Sequence, residues 1–190
     1  MSESVFYTLL LVAPVLLAGA IPFFLRLSEN RLKVILAFSA AYLLALSFLH
    51  LIPEIFSGPD TREGGLWIMA GFFIQVVLEF FSSGIEHGHA HIHGHKYKLP
   101  VALLAGLYLH SFIEGLPLAG IYSGKEDAGL FSFMAGISLH NIPIAIAFTG
   151  LLMHEQLTKN KIILCLVLFA AMAPLGAAAG KLLMDNNPAL

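Results

Sequence analysis

Residues 99–122 read LPVALLAGLYLHSFIEGLPLAGIY, a run long enough to cross a lipid bilayer that carries His110 and Glu114 near its middle. A hydrocarbon core of about 30 Å takes about 20 helical residues to cross. An apolar run of this length is expected to be a membrane helix. Histidine and glutamate four positions apart share one face of such a helix, a single turn from each other. At about 1.5 Å per residue they fall close to the bilayer midplane. Ionisable groups at that depth are costly, and they usually mark a site rather than a packing accident.

The rest of the chain has the same character. Of its 190 residues 58% are hydrophobic and 12% charged, and the mean hydropathy is +0.84. A soluble domain carries about twice that charge, and a small domain cannot hide so much apolar surface from water. Six stretches qualify as spans, at 5–25, 33–53, 65–83, 99–122, 129–153 and 161–183. The expected fold class is therefore all-α: a polytopic membrane helix bundle of about six transmembrane helices, forming one domain over residues 1–190. The net charge of −2 gives no reason to invoke nucleic acid, so the expected partners are the lipid bilayer and small ions. The single cysteine, Cys165, lies in an apolar run, which leaves no disulfide framework within one chain.

Charge orients the bundle. Seven of the ten Lys and Arg residues fall in alternate breaks: Arg26, Arg31 and Lys33, then Lys96 and Lys98, then Lys159 and Lys161. Retained cytoplasmic loops are enriched in such residues, which places both termini outside. The N-terminus lacks the basic region of a signal peptide, so the first apolar run is expected to stay in the protein. With the small size, this points to a bacterial inner membrane.

A second polar cluster lies in the fifth stretch, SLHNIPIAIAFTG, where His140 and Asn141 again sit about midway and Pro143 follows. Pro117 follows Glu114 in the fourth. A helical proline frees a carbonyl one turn back, and such backbone is tolerated in membranes where it lines a site. Imidazole and carboxylate together suit zinc and its first-row neighbours. His110, Glu114 and His140 are the candidate ligands, and Ser111, Asn141 and water are available to complete the shell. The competing reading is an interhelical hydrogen-bond cluster that holds the bundle together.

Three other groups stand out. FLHLIPE brings His50 and Glu54 onto one helical face at the outer end of the second stretch, as an entrance site or as residues facing headgroups. Gln75 and Glu79 lie a turn apart in the third, as an exit relay or with Glu79 snorkelling to the interface. The third break holds His87, His89, His91, His93 and His95, within a histidine-rich loop over 86–98 on the expected cytoplasmic side. Such a tract binds divalent metal by proximity alone.

HSFIEG (110–115) and HNIP (140–143) resemble the paired signatures of the ZIP (Zrt/Irt-like) metal transporters, and HLIPE (50–54) is similar to that family's second-helix motif. The resemblance spans about residues 5–183 and implies uptake of zinc or a related divalent ion toward the cytoplasm, without an organic cofactor. It implies metal ligands at His110, Glu114 and His140, places Ser111 and Asn141 at positions of an adjacent second site, and adds His50. The chain departs from the pattern twice. Where the family places a glutamate after its fifth-helix histidine, this chain has Ile144 and Ala145, so the implied site has one carboxylate and one ion. Family members generally have eight helices in inverted repeats against six here: either the chain is naturally short or it is a truncated product, and a second copy in a homodimer is one way to complete the missing half repeat. Two other functions remain open at this stage. One is a membrane metal sensor that binds without transporting. The other is a membrane metallohydrolase, which lacks an HExxH motif or an evident nucleophile; the chain is expected not to be an enzyme.

Overall fold

The computed structural model describes residues 3–25, 28–57, 61–82, 101–123 and 128–186, and every regular element in them is helical. The elements are α1 (Glu3–Ala20), α2 (Glu29–Leu46), α3 (Ile52–Ser57), α4 (Thr61–Ser82), α5 (Val101–Gly115), α6 (Ala128–His154) and α7 (Lys159–Asn186). Short 3₁₀ segments at Ile21–Phe23 and Leu116–Ser123 extend α1 and α5, and a π turn at Ser47–Leu51 joins α2 to α3. The bundle is thus all-α, as expected, with its breaks close to those anticipated. The histidine-rich loop 86–98 lies outside the described residues, as does the side chain of Glu79.

Prolines explain the irregular turns. Pro53 has no N–H for the Leu49 carbonyl, so the backbone ahead of it widens and the Ile52 N–H bonds to the Ser47 carbonyl, five residues back. Pro117 stands at the change from α5 to the 3₁₀ segment. Pro143, by contrast, is accommodated inside a continuous 27-residue α6.

Five helical stretches are long and apolar enough to cross a membrane: Ser4–Phe23, Asn30–Ser57, Val101–Gly120, Gly129–His154 and Lys159–Asn186. The remaining expected span forms the 22-residue α4, which at about 1.5 Å per residue also matches a bilayer core. This is a multi-pass membrane protein. Its outer surface is apolar, with Phe80 82%, Trp67 75% and Leu17 73% exposed, where a water-soluble protein of this size would present charge. Lys159 lies 5.6 Å from the ring centre of Phe23. That contact puts the start of α7 and the end of α1 at one end of the bundle, in keeping with the alternation of basic breaks.

Packing around the site relies on small residues. α5 and its 3₁₀ extension lie against α7. A Cβ on Gly115 would fall on the Ala173 carbonyl, one on Gly176 on the Phe112 carbonyl, and one on Gly180 on the Leu116 carbonyl. Backbones meet directly here, as membrane helices do where small residues recur along one face. The contact brackets Glu114 and sets α7 directly against the helix that carries it. Elsewhere α1 packs on α6 and α7, α2 on α6, and α4 on α5. The α5, α6 and α7 side chains interlock through Tyr108, Phe148 and Phe169, and the Tyr108 hydroxyl donates to the Cys165 carbonyl at 2.9 Å.

Gly176→Val should therefore lower stability by at least about 1–3 kcal/mol, the usual cost of overpacking. Gly71→Ala, on α4 with nothing within 4 Å of the added carbon, should be neutral or slightly stabilising. Thermal unfolding in detergent micelles distinguishes the two.

Candidate metal centre

Among the described residues the buried polar side chains are Ser39, His110, Ser111, His140, Asn141 and Thr149. Four of these are the midplane residues picked out from sequence; the other two, Ser39 and Thr149, carry single hydroxyls. His110 and Glu114, a turn apart on α5, point the same way: His110 Nε2 lies 3.2 Å from Glu114 Oε1. From α6, His140 Nε2 approaches the same oxygen at 3.9 Å. The two imidazole rings stand 6.2 Å apart at 62°. One ligand atom from each residue falls within 4.8 Å of the others.

These separations suit a metal ion. Four donors at zinc's usual ~2.0–2.1 Å in a tetrahedron lie roughly 3.3–3.4 Å from one another. The observed spacing needs only small side-chain rotations to enclose an ion. Three protein ligands leave a coordination position open, as in sites whose ion must exchange or react rather than remain fixed. Asn141 bears on the Glu114 carboxylate as well. Glu114 Oε2 and Asn141 Oδ1 are buried acceptors without a hydrogen-bond partner among the described residues. A buried acceptor that finds no donor is costly, and a cation is one species that satisfies such oxygens.

The remaining nitrogens are held from behind. His110 Nδ1 is 3.0 Å from Gln75 Oε1 on α4. His140 Nδ1 is 3.4 Å from Ser39 Oγ on α2, and that hydroxyl donates to the Leu36 carbonyl at 2.8 Å. The sequence reading missed Ser39. A lone serine in an apolar helix usually bonds back to its own backbone, and nothing in KVILAFSAAYLL signals a partner 101 positions away. Gln75 was noticed, but as the neighbour of Glu79; the structure turns it toward His110.

His50 takes no part in this cluster. It lies exposed on the π turn after α2, as does Glu54 on α3. Ser111 and Asn141 are buried next to the ligands, 1% and 2% exposed. Ile144 and Ala145, one turn beyond His140, are fully buried apolar residues and bring no second carboxylate.

Fold and site together define a polytopic membrane protein with a buried His/Glu cluster whose spacing could hold a metal ion. The family model described as ZIP Zinc transporter matches residues 4–102 and 86–189, and the chain belongs to that family. It is 33% identical to zinc transporter ZIP13 of Pongo abelii, over 59% of this chain and 36% of that protein. It is 25% identical to zinc transporter ZIP9 of Micropogonias undulatus, over 83% of this chain and 65% of that protein. The chain thus spans less than two thirds of the length of these relatives. No solved structure gives a significant match.

Replacing a residue that only orients a metal ligand typically costs 10–100-fold in affinity. His140→Ala, which removes a candidate ligand outright, should weaken zinc binding by at least about that factor. Calorimetric zinc titration of the purified protein measures it.

Proposed function

We propose that the protein carries a divalent metal ion, zinc first among candidates, across the membrane toward the cytoplasm through His110, Glu114 and His140. The observation that supports this best is the convergence of three ligand atoms within 4.8 Å inside an apolar bundle. Family membership and the names of the relatives, all zinc transporters, point the same way.

The chemistry is that of dehydration and release. An ion entering hydrocarbon loses water, and the two imidazoles with the Glu114 carboxylate replace part of that shell. One carboxylate against a divalent charge leaves the occupied site net positive, which favours departure over permanent retention. Conduction needs binding strong enough to admit the ion and weak enough to free it. The uncommitted oxygens of Glu114 and Asn141, with Ser111 beside them, are the groups available to complete the shell during passage. His50 is proposed as an outer contact on the way in. The histidine-rich loop 86–98 is proposed as a cytoplasmic collector for the released ion, attached to a single transmembrane domain. The orientation with both termini outside, the bacterial inner membrane and a homodimeric assembly belong to the same proposal and rest on the sequence arguments.

A second reading, metal sensing without transport, draws on Ile144 and Ala145. With apolar side chains on the turn after His140, the ion has no second carboxylate to pass to. Zinc flux into dye-loaded proteoliposomes separates the readings. Transport predicts flux above that of empty liposomes and its loss in Glu114→Ala. Tight binding with no flux would favour the sensor, and normal flux in Glu114→Ala would overturn the site.

A further inference from the structure

We propose that Gln75 and Ser39 are positioning residues: by accepting hydrogen bonds from Nδ1 of His110 and His140, they dictate that both imidazoles offer Nε2 to the metal. The inference rests on the reading of His110, Glu114 and His140 as the metal site, and deepens it.

Each step follows from donor and acceptor chemistry. A neutral imidazole carries one proton and one lone pair on its two nitrogens. The Gln75 atom at 3.0 Å from His110 Nδ1 is the amide oxygen, which only accepts, so the proton belongs on Nδ1. The opposite tautomer would set two lone pairs against each other. At His140 the neighbour is a hydroxyl, which in general donates or accepts. Here its hydrogen is committed to the Leu36 carbonyl at 2.8 Å, so toward His140 Nδ1, 3.4 Å away, the oxygen offers lone pairs. With a metal ion bound, both rings thus keep a proton on Nδ1 and give the Nε2 lone pair to the ion. The Nε2 atoms are the ones that face Glu114 Oε1, at 3.2 and 3.9 Å.

The two supporting residues come from helices that contribute no ligand. Gln75 stands on α4 among lipid-facing neighbours such as Phe72 and Val76. An amide there is costly in hydrocarbon unless it is paired, and its pairing with His110 accounts for its presence. Ser39 is 2% exposed and lies on α2 behind α6. Hydrogen-bonded partners of this kind orient metal-binding histidines and raise their basicity. Each ligand-bearing helix thus has its imidazole aimed by a different neighbour, α5 by α4 and α6 by α2.

The test uses the full-length protein in detergent and zinc alone as the probe. It follows the component of binding that His110→Ala removes. Gln75→Leu, which keeps bulk and loses the acceptor, should weaken that component by about 10–100-fold. Gln75→Glu, which still presents an oxygen to Nδ1–H, should stay near wild type. Ser39→Ala should show a smaller loss in the same direction, its contact being longer. NMR of zinc-loaded wild type with isotope-labelled histidine nitrogens should find the proton on Nδ1 and the metal on Nε2 of both rings, assigned by the signals lost in His110→Ala and His140→Ala. Metal on Nδ1 of either ring would overturn the inference even if no Gln75 variant folds. So would a folded Gln75→Leu that binds zinc at full strength, or a Gln75→Glu as impaired as Gln75→Leu, which would mark a packing role. If His110→Ala removed no binding at all, the site itself would fall and this inference with it. If His110→Ala removed binding and Gln75→Leu did not, only the positioning role would fall.

Discussion

The structure turns on one carboxylate. Glu114 stands inside a largely apolar bundle with an apolar outer surface, where a charge without partners is prohibitively costly. Two imidazoles approach one of its oxygens, and the other oxygen is left without a hydrogen-bond partner among the described residues. Most other features near the centre serve to bring those groups together or to keep them oriented. The arrangement is also incomplete in a way that suits a cation, since Glu114 Oε2 and Asn141 Oδ1 are buried without a hydrogen-bond partner among the described residues.

Holding that carboxylate in place requires a firm support. The α5–α7 contact supplies it through glycine: at Gly115, Gly176 and Gly180 there is no room for a side chain between the backbones. Membrane helices gain nothing from excluding water from each other, because lipid is as apolar as leucine, so close packing and interhelical hydrogen bonds must hold them. The Tyr108 hydroxyl on the Cys165 carbonyl and the Ser138 hydroxyl on the Leu10 carbonyl at 3.2 Å are bonds of that kind. The candidate ligands of α5 are thereby backed by α7, while His140 arrives from α6, which packs most extensively against α1 and α2 and also meets α7 through Phe148 and Phe169. The candidate site lies between α5 and α6.

The resemblance and the structure converge on a leaner centre than the family pattern implies. His110, Glu114 and His140 cluster, with Ser111 and Asn141 buried next to them. His50, which the second-helix motif suggested, stays on the outside at the π turn that Pro53 imposes. Ile144 and Ala145 are buried in apolar packing and add no charge. A single carboxylate is what this chain has to offer a divalent ion among the described residues of the centre.

Much of this was legible in the amino-acid sequence. The helical class and the approximate spans follow from run length and composition, because a bilayer demands internally bonded backbone and leaves few alternatives. The pairing of His110 with Glu114 was equally readable, since four residues make about one helical turn whatever the tertiary fold. What the sequence could not decide was which helices become neighbours. Helix periodicity says which residues share a face but not what that face meets, and in lipid the apolar faces carry little information because lipid and protein both satisfy them. His140 was named beside His110 and Glu114 from sequence; the tertiary structure set it 3.9 Å from Glu114, left His50 out, and placed Ser39 and Gln75 behind the two imidazoles. Stretches 99–122 and 129–153 named the three candidate ligands; the packing of α2, α4 and α6 around α5 decided how they meet and what stands behind them.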